Sequence, residues 1–255
     1  MIPSNYHTHT TFCDGKNSPE EMVQRAIQLG CPELGFSGHS YLSSGANYCM
    51  TLEGTEQYKA EIRRLQKKYA GQIKILLGLE MDYFSHVSTE DYDYVIGSVH
   101  AVLKDGCYLD VDHTRQIFMD DVKNYYGGDY YAYAEDYYAL VADVYRRTGC
   151  QIVGHFDLIT KFNEGDALFD TNHPRYQAAA NKAMDALLDA PVILEVNTGA
   201  IARGYRTQPY PAKDLLGRWL KAGKKVHFSS DCHNAPQLLF GYEQYETYIK
   251  EAGKL

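Results

Sequence analysis

Nowhere in the 255-residue sequence does an apolar run approach the roughly 20 residues that a membrane-crossing helix needs, which excludes a chain threaded through a bilayer by helices. The six cysteines, at 13, 31, 49, 107, 150 and 232, form no C-x-x-C pair. A thiolate zinc site and a disulfide framework are therefore not signalled, and the cysteines read as reduced thiols. Positive charge is in deficit: 25 basic against 33 acidic side chains give a net charge of −8. Attachment to nucleic acid through bulk charge is disfavoured, and the expected partner is smaller. Low-complexity linkers and internal repeats are also missing, so a single domain over 1–255 is expected at a length typical of one α/β barrel. The opening Met1-Ile2-Pro3-Ser4-Asn5-Tyr6 lacks the basic-then-apolar pattern of a secretory signal, and cytoplasm is the expected compartment.

What the sequence does hold is an alternation of short apolar runs and longer amphipathic segments. Seven runs suit strands, at about 2–7, 34–38, 73–80, 94–99, 151–155, 191–197 and 225–231. The clearest, Ile73–Glu80 and Val192–Asn197, are mostly apolar, as expected of strands covered on both faces. Ser18, Pro19 and Glu21 spell a capping box with proline at the first helical position, and Gly30 supplies the stop. Further helices are expected at about 55–69, 131–148, 174–189, 212–222 and 240–252. The alternation favours a parallel sheet. Seven of the 23 tyrosines fall within 125–138, where helical spacing points to outer-helix packing with exposed hydroxyls in preference to stacking on a ring-shaped substrate. The 101–130 stretch has no clear assignment beyond a turn at Gly127-Gly128-Asp129.

Histidine carries the chemistry. His7-Thr8-His9 closes the first run, and a period of two sets both imidazoles on one side of an extended chain. His39 follows the second run, Glu80 ends the third, His100 the fourth and His155 the fifth, while Asp231 and His233 follow the last. In a parallel barrel these strand ends converge on one mouth. Imidazoles and carboxylates without thiolates suit zinc, iron or manganese and disfavour a closed structural zinc site.

The ordered set resembles the polymerase-and-histidinol-phosphatase (PHP) superfamily of metal-dependent phosphoesterases, in its histidinol-phosphatase branch. The resemblance spans almost the whole chain. It rests on His7-Thr8-His9-Thr10 with Asp14-Gly15, Gly38-His39, Gly78-Leu79-Glu80, Gly97-Ser98-Val99-His100, Gly154-His155-Phe156-Asp157, Glu195-Val196-Asn197-Thr198 and Ser230-Asp231-Cys232-His233. Weaker marks are Asp105-Gly106, Val111-Asp112 and Pro209-Tyr210-Pro211. The resemblance implies a distorted (β/α)7 barrel with up to three divalent ions at the C-terminal ends of its strands. It makes His7, His9, Glu80 and Asp231 ligands of the first ion. Glu80 would bridge to a second ion held by His100 and His155, and Asp14, His39 and His233 would form a third set. Some superfamily members carry histidine at the position of Asp14. Three divalent ions less three carboxylates leave a positive site matched to a phosphate dianion, with water activated by the ions attacking phosphorus directly and no phosphoenzyme. Glu80, Asp231 and His233 are the candidate catalytic residues; Asp231, His233 or water could protonate the leaving group.

The loop after the sixth run brings Arg203 and then Arg206 within reach of phosphate, and Lys161 is a third candidate contact. Cys13 and Cys232 lie beside proposed ligands but lack an activating base, so packing roles are expected. His86, His113, His173 and His227 share no strand-end pattern and read as surface or structural. Asp157 could orient His155 or cap the following helix. The expected substrate is a small phosphorylated metabolite, L-histidinol phosphate first, placing the protein in histidine biosynthesis. The competing readings are a phosphodiesterase or exonuclease, as in polymerase-associated members of the superfamily, and a noncatalytic metal-binding module.

Overall fold

The first helix, α1 (Pro19–Gln28), begins where its capping box dictates: the Ser18 hydroxyl accepts from Glu21 N, and the Glu21 carboxylate accepts from Ser18 N at 2.7 Å. The chain leaves it through Gly30 at φ 72°. This computed structural model describes residues 4–254. Strands β1 (Glu33–Phe36), β2 (Lys74–Asp82) and β3 (Tyr94–Ser98) precede a hairpin of β4 (Ala101–Lys104) and β5 (Cys107–Asp110). β6 (Ile152–Val153), β7 (Ile193–Asn197) and β8 (Val226–Ser229) follow. A parallel sheet runs β1-β2-β3-β6-β7-β8, and the hairpin stands apart as an antiparallel pair. The helices between strands are α2 (Leu52–Lys68), α3 (Arg115–Tyr126), α4 (Tyr130–Thr148), α5 (Pro174–Leu188), the short α6 (Gly199–Ala202), α7 (Lys213–Lys221) and α8 (Tyr242–Ala252).

The seventh stave is irregular. The expected strand over 2–7 appears as single parallel bridges, Asn5 to Leu34 at one edge of the sheet and Thr8 to Cys232 at the other, and residues 2 and 3 lie outside the described residues. The segment thereby joins β1 to the chain beyond β8 and closes the barrel. Side chains do much of the pinning that a ladder would otherwise do. Asn5 Nδ2 donates to Ser230 Oγ at 2.7 Å and to Leu238 O at 2.9 Å, while its Oδ1 accepts from His7 N at 3.1 Å.

Two elements were not resolved by periodicity. The hairpin turns on Asp105 (φ 50°) and Gly106 (φ 80°), two successive left-handed residues of the kind a tight hairpin demands. Helix α3 starts at Thr114, whose hydroxyl accepts from Ile117 N, and stops at Gly127. The tyrosine cluster packs as expected, but three of its seven hydroxyls, those of Tyr133, Tyr137 and Tyr138, are buried, while Tyr125, Tyr126, Tyr130 and Tyr131 are half-buried. Tyr133 donates to Leu109 O, Tyr137 donates to Phe156 O, and the Tyr138 and Tyr176 hydroxyls share a hydrogen bond, all buried. Helix α4 lies between sheet and α5, which leaves these rings no route to solvent. Among the described residues no helix is long and apolar enough to cross a membrane.

His227 on β8, the ladder partner of Glu195, stacks on Tyr6 at 4.2 Å, and its buried Nε2 has no hydrogen-bond partner among the described residues. Burial pushes this imidazole down from 6.5 to about 4 against the opposing pull of Glu195 and Glu33. The unfolded ring binds its proton near 6.5 while the folded ring waits until about 4, so stability drains away as pH falls through that window. Allowing for the ring's partial exposure, the loss attributable to His227 is about 2 kcal/mol. His227→Phe is expected to flatten this part of the curve. Urea unfolding of both proteins at pH 7 and pH 5 checks it, and parallel losses in the two would show a ring that titrates normally in the fold.

Candidate metal centre

The strand ends deliver their side chains to one point, and Glu80 of β2 is the hub. Its Oε2 lies 3.2 Å from His7 Nε2, 3.6 Å from His9 Nε2 and 2.9 Å from His39 Nδ1. Its Oε1 lies 3.0 Å from His155 Nε2 and 3.3 Å from His100 Nε2, and accepts from Ser98 Oγ at 2.8 Å. The two oxygens of one carboxylate thus face two different sets of imidazoles, the arrangement a bridging ligand requires. Asp231 Oδ1 completes the first set at 3.3 Å from His9 Nε2 and 3.8 Å from His7 Nε2. The third set gathers on Asp14, whose Oδ2 is 3.2 Å from His233 Nε2 and whose Oδ1 is 3.7 Å from His39 Nε2 and from His9 Nδ1. His39 therefore stands between sets, one ring nitrogen toward Glu80 and the other toward Asp14. The donor atoms fall into four mutually close groups: His9, Asp14, His39 and His233; His7, Glu80 and His155; His7, His9 and Asp231; and His39, Glu80 and His100.

Buried His7 Nε2, His9 Nε2 and Glu80 Oε2 have no hydrogen-bond partner among the described residues, although each lies within about 3–4 Å of the others' sets. Orphaned lone pairs converging on a common point are what a divalent cation would satisfy, so the residues fit metal. The electrostatics agree. Burial pushes the Glu80 carboxyl up, but His7, His39 and His100 outweigh it and hold the group well below the usual carboxylate range. Asp231 is likewise held low against burial, by Arg203 and His7. Burial and the neighbouring His233 and His39 push His9 down to about 3, leaving it a neutral imidazole, the form that ligates.

Behind the ligands stand carboxylates whose roles periodicity did not reveal. Glu195 Oε1 takes His7 Nδ1 at 2.6 Å, and its Oε2 accepts from His155 N at 2.7 Å and from Asn197 Nδ2 at 2.9 Å. Asp82 Oδ2 lies 3.0 Å from His100 Nδ1. Each fixes the ring so that the opposite nitrogen faces Glu80. The signal for Glu195 was present: a fully buried acid inside an apolar strand needs a partner.

A cavity of about 230 Å³ opens over the centre, and Asp110, Asp112, Lys161, Arg203 and Tyr48 help to line it. Arg203 donates to Asp231 Oδ2 and to Asp231 O, both at 3.0 Å. Lys161 Nζ donates to Asp112 O at 2.6 Å and lies 3.3 Å from Asp112 Oδ2. Tyr48 meets His39 edge-on at 5.0 Å. Arg206 is elsewhere: its guanidinium donates to Thr160 and lines a neighbouring cavity with Asp157, because the loop turns away at Gly204 (φ 76°). Asp157 neither orients His155 nor caps the helical turn after it; its Oδ2 accepts from Ala212 N at 3.0 Å, just ahead of α7. His113, expected in a surface or structural role, also lines the metal cavity. Among the other histidines, His173 caps α5 by accepting from Arg175 N, and His86 receives Arg147. Burial pushes the Cys13 and Cys232 thiols up to about 11, which fits packing and not nucleophilic attack.

A family model described as PHP domain matches residues 5–199, more than half of the chain. The chain belongs to the PHP domain family. Among the curated relatives of this PHP domain, a probable histidinol-phosphatase of Deinococcus radiodurans is 31% identical over 97% of this chain and 92% of its own. The histidinol-phosphatase of Bacillus subtilis is 26% identical over 94% and 96%. Among solved structures, a putative histidinol phosphatase from Listeria monocytogenes superposes with a TM-score of 0.82 at 22% identity, covering 95% of this chain and 99% of that one. The Lactococcus lactis histidinol phosphate phosphatase, solved with zinc, L-histidinol and phosphate, gives 0.73 at 23% identity over 98% and 94%. These likenesses bear out the α/β barrel of the PHP fold for this chain.

Proposed function

We propose that this PHP domain, acting as one unit, hydrolyses a phosphate monoester, with L-histidinol phosphate as substrate and L-histidinol and phosphate as products. The observation that carries the reading is the divided Glu80 carboxylate opening into a cavity that also holds Lys161 and Arg203 and, beyond the proposed ligands, Asp110 and Asp112. The full-length likeness to curated histidinol-phosphatases supports the substrate.

His7, His9, Glu80 and Asp231 would hold one ion, Glu80 with His100 and His155 a second, and Asp14, His39 and His233 a third; zinc, iron or manganese suits these nitrogen and oxygen donors. Bound there, divalent ions polarise the phosphoryl group and activate water. The remaining tasks belong to side chains. Arg203 and Lys161 bring positive charge to the phosphate oxygens, and Glu195 and Asp82 hold the imidazoles in register. Asp231, His233 or water would carry the proton that the departing alkoxide needs; both side chains lie beside Arg203. Asp110, in the lining of the same cavity, would offer negative charge for the substrate ammonium, while Asp112 is paired with Lys161.

Phosphate release from metal-loaded protein across a panel of monoesters and diesters tests the reading. Histidinol phosphate is expected to lead, with turnover lost on chelation and restored by metal. Diester preference would favour the phosphodiesterase alternative, and bound metal without turnover a noncatalytic module. Asp110→Asn is expected to raise KM for histidinol phosphate about tenfold through loss of a charged contact, while an ester without an amine keeps its KM. Equal increases for both esters would remove Asp110 from ammonium recognition.

A further inference from the structure

Arg206 is buried, its side chain only 9% exposed, and yet it touches nothing in the metal cavity. Its Nη1 donates to Thr160 O at 3.3 Å and to Thr160 Oγ1, and its guanidinium lies over the Tyr210 ring at 4.6 Å. Nε approaches Glu164 Oε2 at 3.7 Å, and the buried Asp157 carboxylate is the largest favourable charge upon it. Thr160 and Asp157 sit between His155 and Lys161, whereas Arg206 and Tyr210 belong to the loop that carries Arg203. The guanidinium therefore rivets together the two segments that bring cations to the metal cavity.

Other contacts lie along the same seam. Thr207 Oγ1 donates to Glu164, Ala212 N donates to Asp157 Oδ2 at 3.0 Å, and Tyr205 packs edge-on against Phe162 at 5.6 Å with Lys161 Nζ 4.8 Å from its ring. Of these, Arg206 alone holds both the backbone and the hydroxyl of Thr160, the residue before Lys161. Both bonds leave one nitrogen, Nη1, while the guanidinium plane lies over the Tyr210 ring, and a planar group held at its tip and on its face resists rotation as a single contact does not.

We infer that Arg206 is a positioning residue for the phosphate clamp, holding the segment of Lys161 in register with the loop of Arg203. The inference rests on the phosphomonoesterase reading but acts at a different place, through loop registry and not through contact with the anion. Misplacing a clamp by about an ångström weakens it steeply, by up to about a hundredfold.

The test titrates inorganic phosphate into metal-loaded protein by calorimetry, alongside ester kinetics and metal analysis. Arg206→Met is expected to weaken phosphate binding and raise ester KM about tenfold, with kcat lowered less and metal content unchanged. Arg206→Lys keeps the charge without the plane that lies over Tyr210 and is expected to recover little. In an Arg203→Met background the Arg206→Met effect should shrink to about threefold or less, since its effect is exerted through the clamp. Undiminished loss in that background would make Arg206 an independent contact, and full recovery by lysine would reduce it to bulk charge; either overturns the inference. Should Arg206→Met fail to fold, Thr160→Val carries the same question: weaker phosphate binding with full metal content supports the rivet, and unchanged binding overturns it. A wild-type protein that binds phosphate but releases none from esters would sink the functional reading while leaving the rivet testable by binding.

Discussion

Glu80→Gln is expected to strip metal from two of the three sets and to lower kcat/KM by at least about a thousandfold, because one carboxylate serves both. Each oxygen of Glu80 faces its own imidazoles, His7, His9 and His39 on one side and His100 and His155 on the other. An amide presents one weakly basic oxygen and an NH2 group that repels a cation, so the first ion can keep a ligand only if the second loses one. The amide also removes the anion that balances the buried rings. Glu80→Asp separates reach from charge: the shorter acid keeps the charge but retreats from one set, and is expected to keep about one ion fewer than wild type while remaining largely inactive. Metal stoichiometry by mass spectrometry and phosphate release read both variants. Full metal content and undiminished turnover in Glu80→Gln would dissolve the bridging role.

The meeting of these donors could be read in the sequence because strand ends in a parallel barrel converge whatever lies between them and six of the seven apolar runs have histidine or acid at their ends, whereas the bridging role of Glu80 was implied only by the resemblance to the PHP superfamily. What escaped was fixed by contacts that period does not encode. The hairpin of β4 and β5 was announced only by Asp105-Gly106, a dipeptide suited to two left-handed residues, within strands too short and too exposed to alternate clearly. Arg206 and Arg203 stand three residues apart on one loop, and no rule of spacing says that one points to the cavity and the other to Thr160. Glu195 was visible as an acid in an apolar strand, but its partner His7 is 188 residues away, and only the closed barrel brings them to 2.6 Å. The first stave read as a strand through its apolar and aromatic residues, whereas Asn5 makes the bonds that set its place.

The dependence of the metal centre on that first stave gives the second large effect, Gly78→Ala. A Cβ at Gly78 would lie 2.2 Å from Tyr94 Cζ and 2.3 Å from Cε1, and one at Gly35 would lie 2.4 Å from the Tyr94 hydroxyl oxygen. The ring thus fills space that two glycines leave open at the base of the barrel. It cannot swing aside freely, since Tyr94 is buried and its hydroxyl lies 2.5 Å from Tyr6 O and 3.0 Å from Phe36 O, with its one proton between the two carbonyls. That hydroxyl ties the stave carrying His7 and His9 to β1, which leads to His39. Overpacking at such a site, with the loss of this shared hydrogen bond, is expected to remove about 3 kcal/mol of stability, or about 6 to 12 °C in Tm for a chain of this size. Metal affinity should fall with it, because Tyr6 and His7 are adjacent. Trimming the ring in Gly78→Ala/Tyr94→Leu is expected to cost less than the two single changes added together, a coupling of about 1 kcal/mol or more. Tyr94→Phe, which keeps the ring and loses only the hydroxyl, should loosen metal binding with a smaller loss of stability. Strictly additive losses in the double variant, or a Tyr94→Phe protein with wild-type metal affinity, would show that the peg supports the barrel without reaching the centre above it.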